Sequence, residues 1–220
     1  ILGRLVGSEM CIRDRLTEAM AKRTNIPLTV KTRLGWDHNS IKIVEVAERL
    51  QDVGCAAISI HGRTRAQMYK GDADWSYISK VKNNPRMYIP VFGNGDVNTP
   101  ERAMEMRDNY GLDGAMIGRA SIGNPWFFNQ VKHFMETGTH LPSPSIEQRV
   151  SVARRHLEMS VAWKGEILGV LETRRHYTNY FRGYKNFKPY RTRMVTSNHS
   201  QEIYDILNEV LQKFVPQEVL

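Results

Sequence analysis

An α/β fold with a parallel sheet, followed by an all-α helical domain, is what this 220-residue sequence predicts. Three observations lead there. Short apolar runs recur at Leu28 to Arg33, Ala56 to Ile60, Met87 to Phe92 and Asp113 to Ile117, and each stops at glycine or a polar cluster. Helical spacing fills the intervals, so Leu28 to Glu136 reads as four βα units, the pattern of a parallel sheet with helices outside. Past Gly138 to Ser145, the string G-T-H-L-P-S-P-S, only helical periodicity remains.

In chain order, residues 1–15 read unlike the rest. The string V-G-S-E-M-C-I-R-D-R, Val6 to Arg15, resembles a translated adapter tail and is set aside as a non-native scar, the alternative being a genuine N-terminal helix carrying Cys11. Leu16 to Arg23 is a helix remnant, ended by Thr24, Asn25 and Pro27. The first strand, L-T-V-K-T-R, gives Lys31 and Arg33 the same facing. Ser40 is expected to cap a helix to Asp52 with Ile41, Val44, Ala47 and Leu50 on one side. After Gly54, the strand Ala56 to Ile60 ends in I-H-G-R-T-R, and Arg65 to Gly71 is expected to be a mobile loop. Asp74 caps a helix from Trp75 to Val81. The strand before Gly93 follows, then a helix Pro100 to Arg107, the strand before Gly118, and a helix opened by Asn124-Pro125 that runs to Glu136. The tail reads as helices Ile146 to Trp163, Glu166 to Arg182, Tyr190 to Val195 and Ser200 to Phe214. Leu168, Leu171, Tyr177, Ile203, Ile206, Leu207 and Leu211 supply its apolar stripes.

Composition narrows the function classes. There is no apolar run of ~18 residues, so no membrane-spanning helix is expected. Cys11 and Cys55 give neither metal-ligand spacing nor a disulfide framework, which suits a reducing cytoplasm. Net charge is +8, and Arg149 to Arg193 holds eleven Lys and Arg against three acids, so the whole excess sits in that segment. Trp163, Tyr177, Tyr180, Phe181, Tyr184 and Tyr190 are interleaved there. That combination suits a nucleic-acid surface, and equally a solvated helix face over aromatic core positions.

The chemistry-bearing stretch is Val91 to Arg119. Two apolar runs end at G-N-G-D, Gly93 to Asp96, and at G-R, Gly118 to Arg119. Glycine allows close backbone approach, and a following helix N-terminus offers free N–H groups to an anion. In a (β/α)8 barrel the loops after the last two strands often bind phosphate, and then Asn94, Gly95, Asp96, Gly118 and Arg119 would converge on one ligand. Ordinary βα turns are the alternative. Lys31 and Arg33 either form salt bridges or meet an anion. His61 either contacts a ring or phosphate or is satisfied by a loop carbonyl.

Together T-V-K-T-R-L-G-W-D (Thr29 to Asp37), I-H-G-R-T-R (Ile60 to Arg65), V-F-G-N-G-D (Val91 to Asp96) and M-I-G-R-A-S-I-G-N-P-W (Met116 to Trp126) resemble the flavin-dependent tRNA-dihydrouridine synthases, bacterial B-type. L-E-T-R-R-H-Y-T-N-Y-F-R-G, Leu171 to Gly183, is similar to that family's tRNA-binding helical domain. The resemblance implies an enzyme that reduces uridine to 5,6-dihydrouridine in tRNA with FMN, NADPH being the reductant, and a full-length protein that is monomeric. It implies an FMN cradle of Lys31, His61, Arg63, Asn94, Gly95, Asp96, Gly118 and Arg119, and tRNA contacts from Arg33, Arg174, Arg175, His176 and Arg182. The fold it implies is the C-terminal half of a (β/α)8 TIM barrel over residues 16–140, then a helical tRNA-binding domain over 141–220. The family's proton-donor cysteine lies N-terminal to the lysine strand, and nothing before Lys31 matches it. A truncated product lacking that acid is therefore expected, insoluble or molten alone because half a barrel leaves open strand edges. The alternatives are an RNA-binding module without catalysis and another FMN barrel acting on a small molecule.

Overall fold

The computed structural model describes residues 2–215, with side chains from residue 12 onward. It is an α/β structure with a four-stranded parallel sheet and nine α-helices among the described residues. Two compact units divide it, Ile1–Ala120 with Phe134–Thr137 and Ser121–His133 with Gly138–Leu220, whereas composition alone puts the change near residue 140.

In the first unit, helix α1 (Leu2–Ala21) runs unbroken through the boundary read at Arg15, and its Asp14 lies 3.7 Å from Arg49. The sheet follows as β1 (Thr29–Arg33), β2 (Ala57–His61), β3 (Val91–Asn94) and β4 (Gly114–Met116), in the spatial order β1-β2-β3-β4. Between them come α2 (Ile43–Asp52), α3 (Ser76–Lys82) and α4 (Pro100–Tyr110); α5 (Phe127–Thr137) is divided between the two units after His133. Each strand meets the next through a helix, as parallel pairing demands.

Strand pleating separates two chemistries. Ile58, Ile60 and Val91 are fully buried on one face, where an added Cβ at Gly93 would lie 2.1 Å from the Trp75 ring at the start of α3. That is the helix-covered side. The other face carries Lys31, Arg33, Ser59, His61, Phe92, Asn94 and Met116, by the period of two.

Several boundaries differ from the sequence reading because side chains capture backbone groups. Ser40 does not cap α2: it closes a 3-10 turn over His38–Ser40 in a reciprocal capping box with Asp37, so the helix starts at Ile43. Its buried stripe is consequently Ile43, Val46, Ala47 and Leu50. Strand β3 begins at Val91 because the buried Gln51 side chain accepts the N–H groups of Tyr88 and Ile89 and donates to Arg86 O. Likewise the Asp113 carboxylate accepts the Val91 N–H at 2.7 Å and pairs with Lys82, which leaves β4 only three residues.

The second unit packs α6 (Ile146–Lys164), α7 (Glu166–Tyr180), α8 (Lys188–Thr196) and α9 (Ser200–Phe214) around Val150, Leu157, Val170, Tyr177, Phe181, Met194, Ile203 and Leu207. Ser145 and Gln148 form the capping box of α6, and Gly165, with φ 79°, ends that helix and opens α7. Two apolar positions are corrected. Leu168 and Leu171 are 56% and 43% exposed, and the face of α7 turned to the core is Val170, Thr173 and Tyr177, spaced i, i+3, i+7.

Candidate functional site

Sheet register aligns the C-terminal ends of the strands. Arg33 pairs with His61, His61 with Asn94, and Asn94 with Met116, so one row crosses all four strands. The row behind it is Lys31, Ser59, Phe92 and Gly114. Every sequence-predicted cradle residue of the first unit therefore belongs to this sheet end or to the loops leaving it.

Asp96 is the centre of those loops. It adopts φ 56°, unusual for a non-glycine residue, and its carboxylate accepts the Ala73 N–H at 2.8 Å, Arg63 Nη2 at 2.7 Å and Arg119 Nη2 at 3.2 Å. Burial works against its charge, but the Ala73 amide and both guanidiniums hold the carboxyl below its ordinary pKa. Arg63, only 2% exposed, also donates through Nε and Nη2 to Gly71 O, while its Nη1 is buried without a hydrogen-bond partner. Gly95, at φ 122°, brings the backbone against Ala73 and the His61 ring; an added Cβ would lie 2.6 Å from Ala73 Cβ. The Trp75 indole N–H closes the turn on Gly95 O at 3.1 Å.

His61 is 6% exposed and its Nδ1 has no hydrogen-bond partner. Burial first, then the charges of Arg33, Lys31 and Arg63, push its pKa down to about 4, so the ring is neutral at pH 7. The same logic lowers Lys31: burial, then the neighbouring Arg33. Asn94 donates to Met116 O at 2.7 Å, bridging the two glycine-ended strands. Gly118 has open space where a side chain would be, but its backbone is not left-handed, so conformation does not require glycine there.

The loop Arg65 to Gly71, expected to be mobile, is held at several points. Arg33 Nη1 donates to Thr64 O and Met68 O at 2.8 and 3.0 Å, and Arg63 holds Gly71 O. Arg33 and Arg119 also approach the exposed Tyr69 ring, at 5.9 and 4.8 Å from its centre. Tyr69 is the member of this cluster that sequence reasoning missed; its place in a loop rather than on a strand gave no signal. A cleft of about 630 Å³ beside β1 is lined by Lys31, Arg33, Trp36, Lys42 and Arg65.

Cys55 is buried at the opposite end of β2, donating to Ala57 O, and burial raises its pKa; Cys11's side chain lies outside the described residues. Among the described residues no group of three or more His, Cys, Asp or Glu side chains could hold a metal ion, and no helix is long and apolar enough to cross a membrane.

The basic helical residues separate into roles. Arg174 Nη2 donates to Thr196 O, Ser197 O and Asn198 Oδ1, which fastens the end of α8, while its Nε is buried without a hydrogen-bond partner. Arg175 rests on the His176 ring nitrogen at 3.3 Å, and Arg182 on Asn179 Oδ1 at 2.9 Å, both on the surface. The interleaved aromatics are mostly core: Tyr177, Tyr180 and Phe181 are buried, and Tyr184 and Tyr190 pack against them. Trp163 is 82% exposed.

A family model described as dihydrouridine synthase (Dus) matches residues 10–217. A Synechocystis sp. protein named "Probable tRNA-dihydrouridine synthase 1" is 37% identical over 209 residues, covering 93% of this chain and 58% of that protein. The tRNA-dihydrouridine synthase B of Pseudomonas putida is 35% identical over 180 residues, covering 82% and 53%, and that of Vibrio vulnificus 34% over 192, covering 86% and 59%. This chain thus spans a little over half the length of these curated relatives. Since the family model extends through both compact units, the chain belongs to the dihydrouridine synthase family.

Proposed function

We propose that this chain carries the cofactor cradle and RNA-facing helices of an enzyme that reduces uridine to 5,6-dihydrouridine in tRNA, using FMN and NADPH. Its four βα units are, on this reading, the C-terminal half of a (β/α)8 barrel, and residues 141–220 its tRNA-binding domain. The observation that carries the proposal is the family match over residues 10–217 coinciding with one cluster of cations and neutral donors at the strand ends. Bound FMN would supply the hydride for the C5=C6 bond of the base.

The residues present fit that group. His61 and Arg63 each keep a buried nitrogen without a partner, which is costly unless a ligand satisfies it. Lys31 stands where burial and Arg33 already disfavour its charge, so an electronegative ring edge or phosphate there relieves both. Asn94, Gly95, Gly118 and Arg119 would face the phosphate. Asp96 is better read as a positioning residue, because its carboxylate repels phosphate but holds Arg63 and Arg119 side by side. Arg33, Arg174, Arg175, His176 and Arg182 are the proposed tRNA contacts in their respective units, the arginines by charge and the neutral His176 by hydrogen bonding, reading shape rather than base sequence.

Titration of the chain with FMN, followed by flavin fluorescence quenching, tests this. Lys31→Ala and Arg119→Ala should each weaken binding about tenfold, the loss of one charge-assisted hydrogen bond. Unchanged affinity in both variants would remove the cradle. A second reading, an RNA-binding module without catalysis, is favoured by the charge excess confined to Arg149–Arg193. Salt-sensitive tRNA binding without any flavin uptake would select it.

A further inference from the structure

Between α6 and α7 lies a cavity of about 320 Å³ that the cofactor cradle does not involve. Trp163, His156, Met159, Lys164, Arg175 and His176 line it. Its walls are set by close helix contact: an added Cβ at Gly169 would lie 2.6 Å from Val161 Cα, and Ser160 Oγ donates to Gly169 O. The two imidazoles meet edge to face, 4.7 Å between ring centres, and the Tyr180 hydroxyl lies 3.0 Å from His156 Nδ1 and fixes that ring. Both rings have lowered pKa values, from burial first; His176, with His156 and Arg175 adding to the effect, reaches about 4. At pH 7 both imidazoles are therefore neutral, each with one ring nitrogen already engaged, by Tyr180 on His156 and by Arg175 on His176, and the lining also holds Lys164 paired with Glu172.

Trp163 distinguishes this place from the rest of the basic segment. Its indole is 82% exposed, with Lys164 Nζ 4.7 Å from its ring centre, while the other aromatics of Arg149–Arg193 pack inward. The volume is near the lower end of the ~300–1,000 Å³ of ligand pockets, the scale of one small planar group rather than of a helix. A π face for stacking, neutral donors and acceptors beside it, and a place within the sequence segment Arg149–Arg193, which holds eight excess positive charges, describe a seat for a base on an anionic backbone. We propose that this cavity takes one unstacked nucleobase of the bound RNA, stacked on Trp163 with its edge toward His156 and His176. The inference rests on the RNA-binding reading above and adds to it a contact that is not electrostatic.

Fluorescence anisotropy of labelled tRNA, titrated with the 220-residue chain at several salt concentrations, tests it. Trp163→Ala should weaken binding about tenfold, as loss of one base–aromatic stack does, and Trp163→Phe should stay near wild type. The dependence of log affinity on log salt should keep its slope in both, because no phosphate contact is lost. A fully paired RNA duplex should bind wild type and Trp163→Ala alike. Equal tRNA affinity of Trp163→Ala and wild type overturns the proposal, as does an equal loss on the duplex. Unchanged RNA binding with loss of self-association in sedimentation also overturns it, assigning Trp163 to a face between copies. If wild type fails to bind tRNA, the RNA-binding reading falls and this contact with it; if wild type binds and Trp163→Ala is silent, only the contact falls.

Discussion

His61 and His176 share an electrostatic predicament in different units: each is largely withdrawn from water beside fixed cations, and each is pushed down to about 4. The unfolded chain takes up protons on these rings near pH 6.5, the folded chain only near 4, so between those values the unfolded state binds more protons. Stability from this source is complete above about pH 6.5 and lost as pH falls toward 4. Thermal melts followed by circular dichroism should show the midpoint dropping across that window, and His61→Asn with His176→Asn should flatten the drop. An unchanged pH profile in the double variant would show that neither ring carries the effect. Sequence suggested that His61 sits at a strand exit; its protonation state depended first on burial and then on Arg33 and Lys31 of the neighbouring strand, with Arg63 of its own loop, and the burial and strand pairing are not encoded locally.

Helices and strands were legible as types and misplaced at their ends. Apolar runs ending at the His61-Gly62 cluster, Gly93 and Gly118 marked the strands because period and punctuation are local. Where β3 and β4 start, however, was decided by Gln51 and Asp113, side chains that bind backbone groups across the sheet. Helix α7 shows the sharper failure: a rotation of one or two positions exposed Leu168 and Leu171 and turned Val170 inward. The close approach at Gly169 sets that rotation. Gly169→Ala should therefore cost about 1–3 kcal/mol by overpacking, read from urea unfolding of the helical signal. A cost indistinguishable from zero would mean that α6 and α7 separate freely.

At the level of the molecule, β1 and β4 each pair on one side only among the described residues. Unpaired edges recruit other strands, so the chain should self-associate in a concentration-dependent way, visible by light scattering. A monodisperse monomer with one sharp cooperative melt would contradict this. The matched relatives are longer, and the family model runs through both units. Chain chemistry alone specified the α/β order, the glycine-ended strands and the positive C-terminal third, because these are written in spacing and residue type, while the family came from the resemblance of four motifs to known sequences. Three-dimensional packing settled which charges are spent internally. Arg174 bonds the end of α8, Asp96 holds Arg63 and Arg119, the interleaved Tyr177, Tyr180 and Phe181 are buried with Tyr184 and Tyr190 packed against them, and Trp163 is exposed. The cause is that pairing and burial depend on neighbours far away in sequence, and a one-residue shift in a helix or strand reassigns every side chain on it.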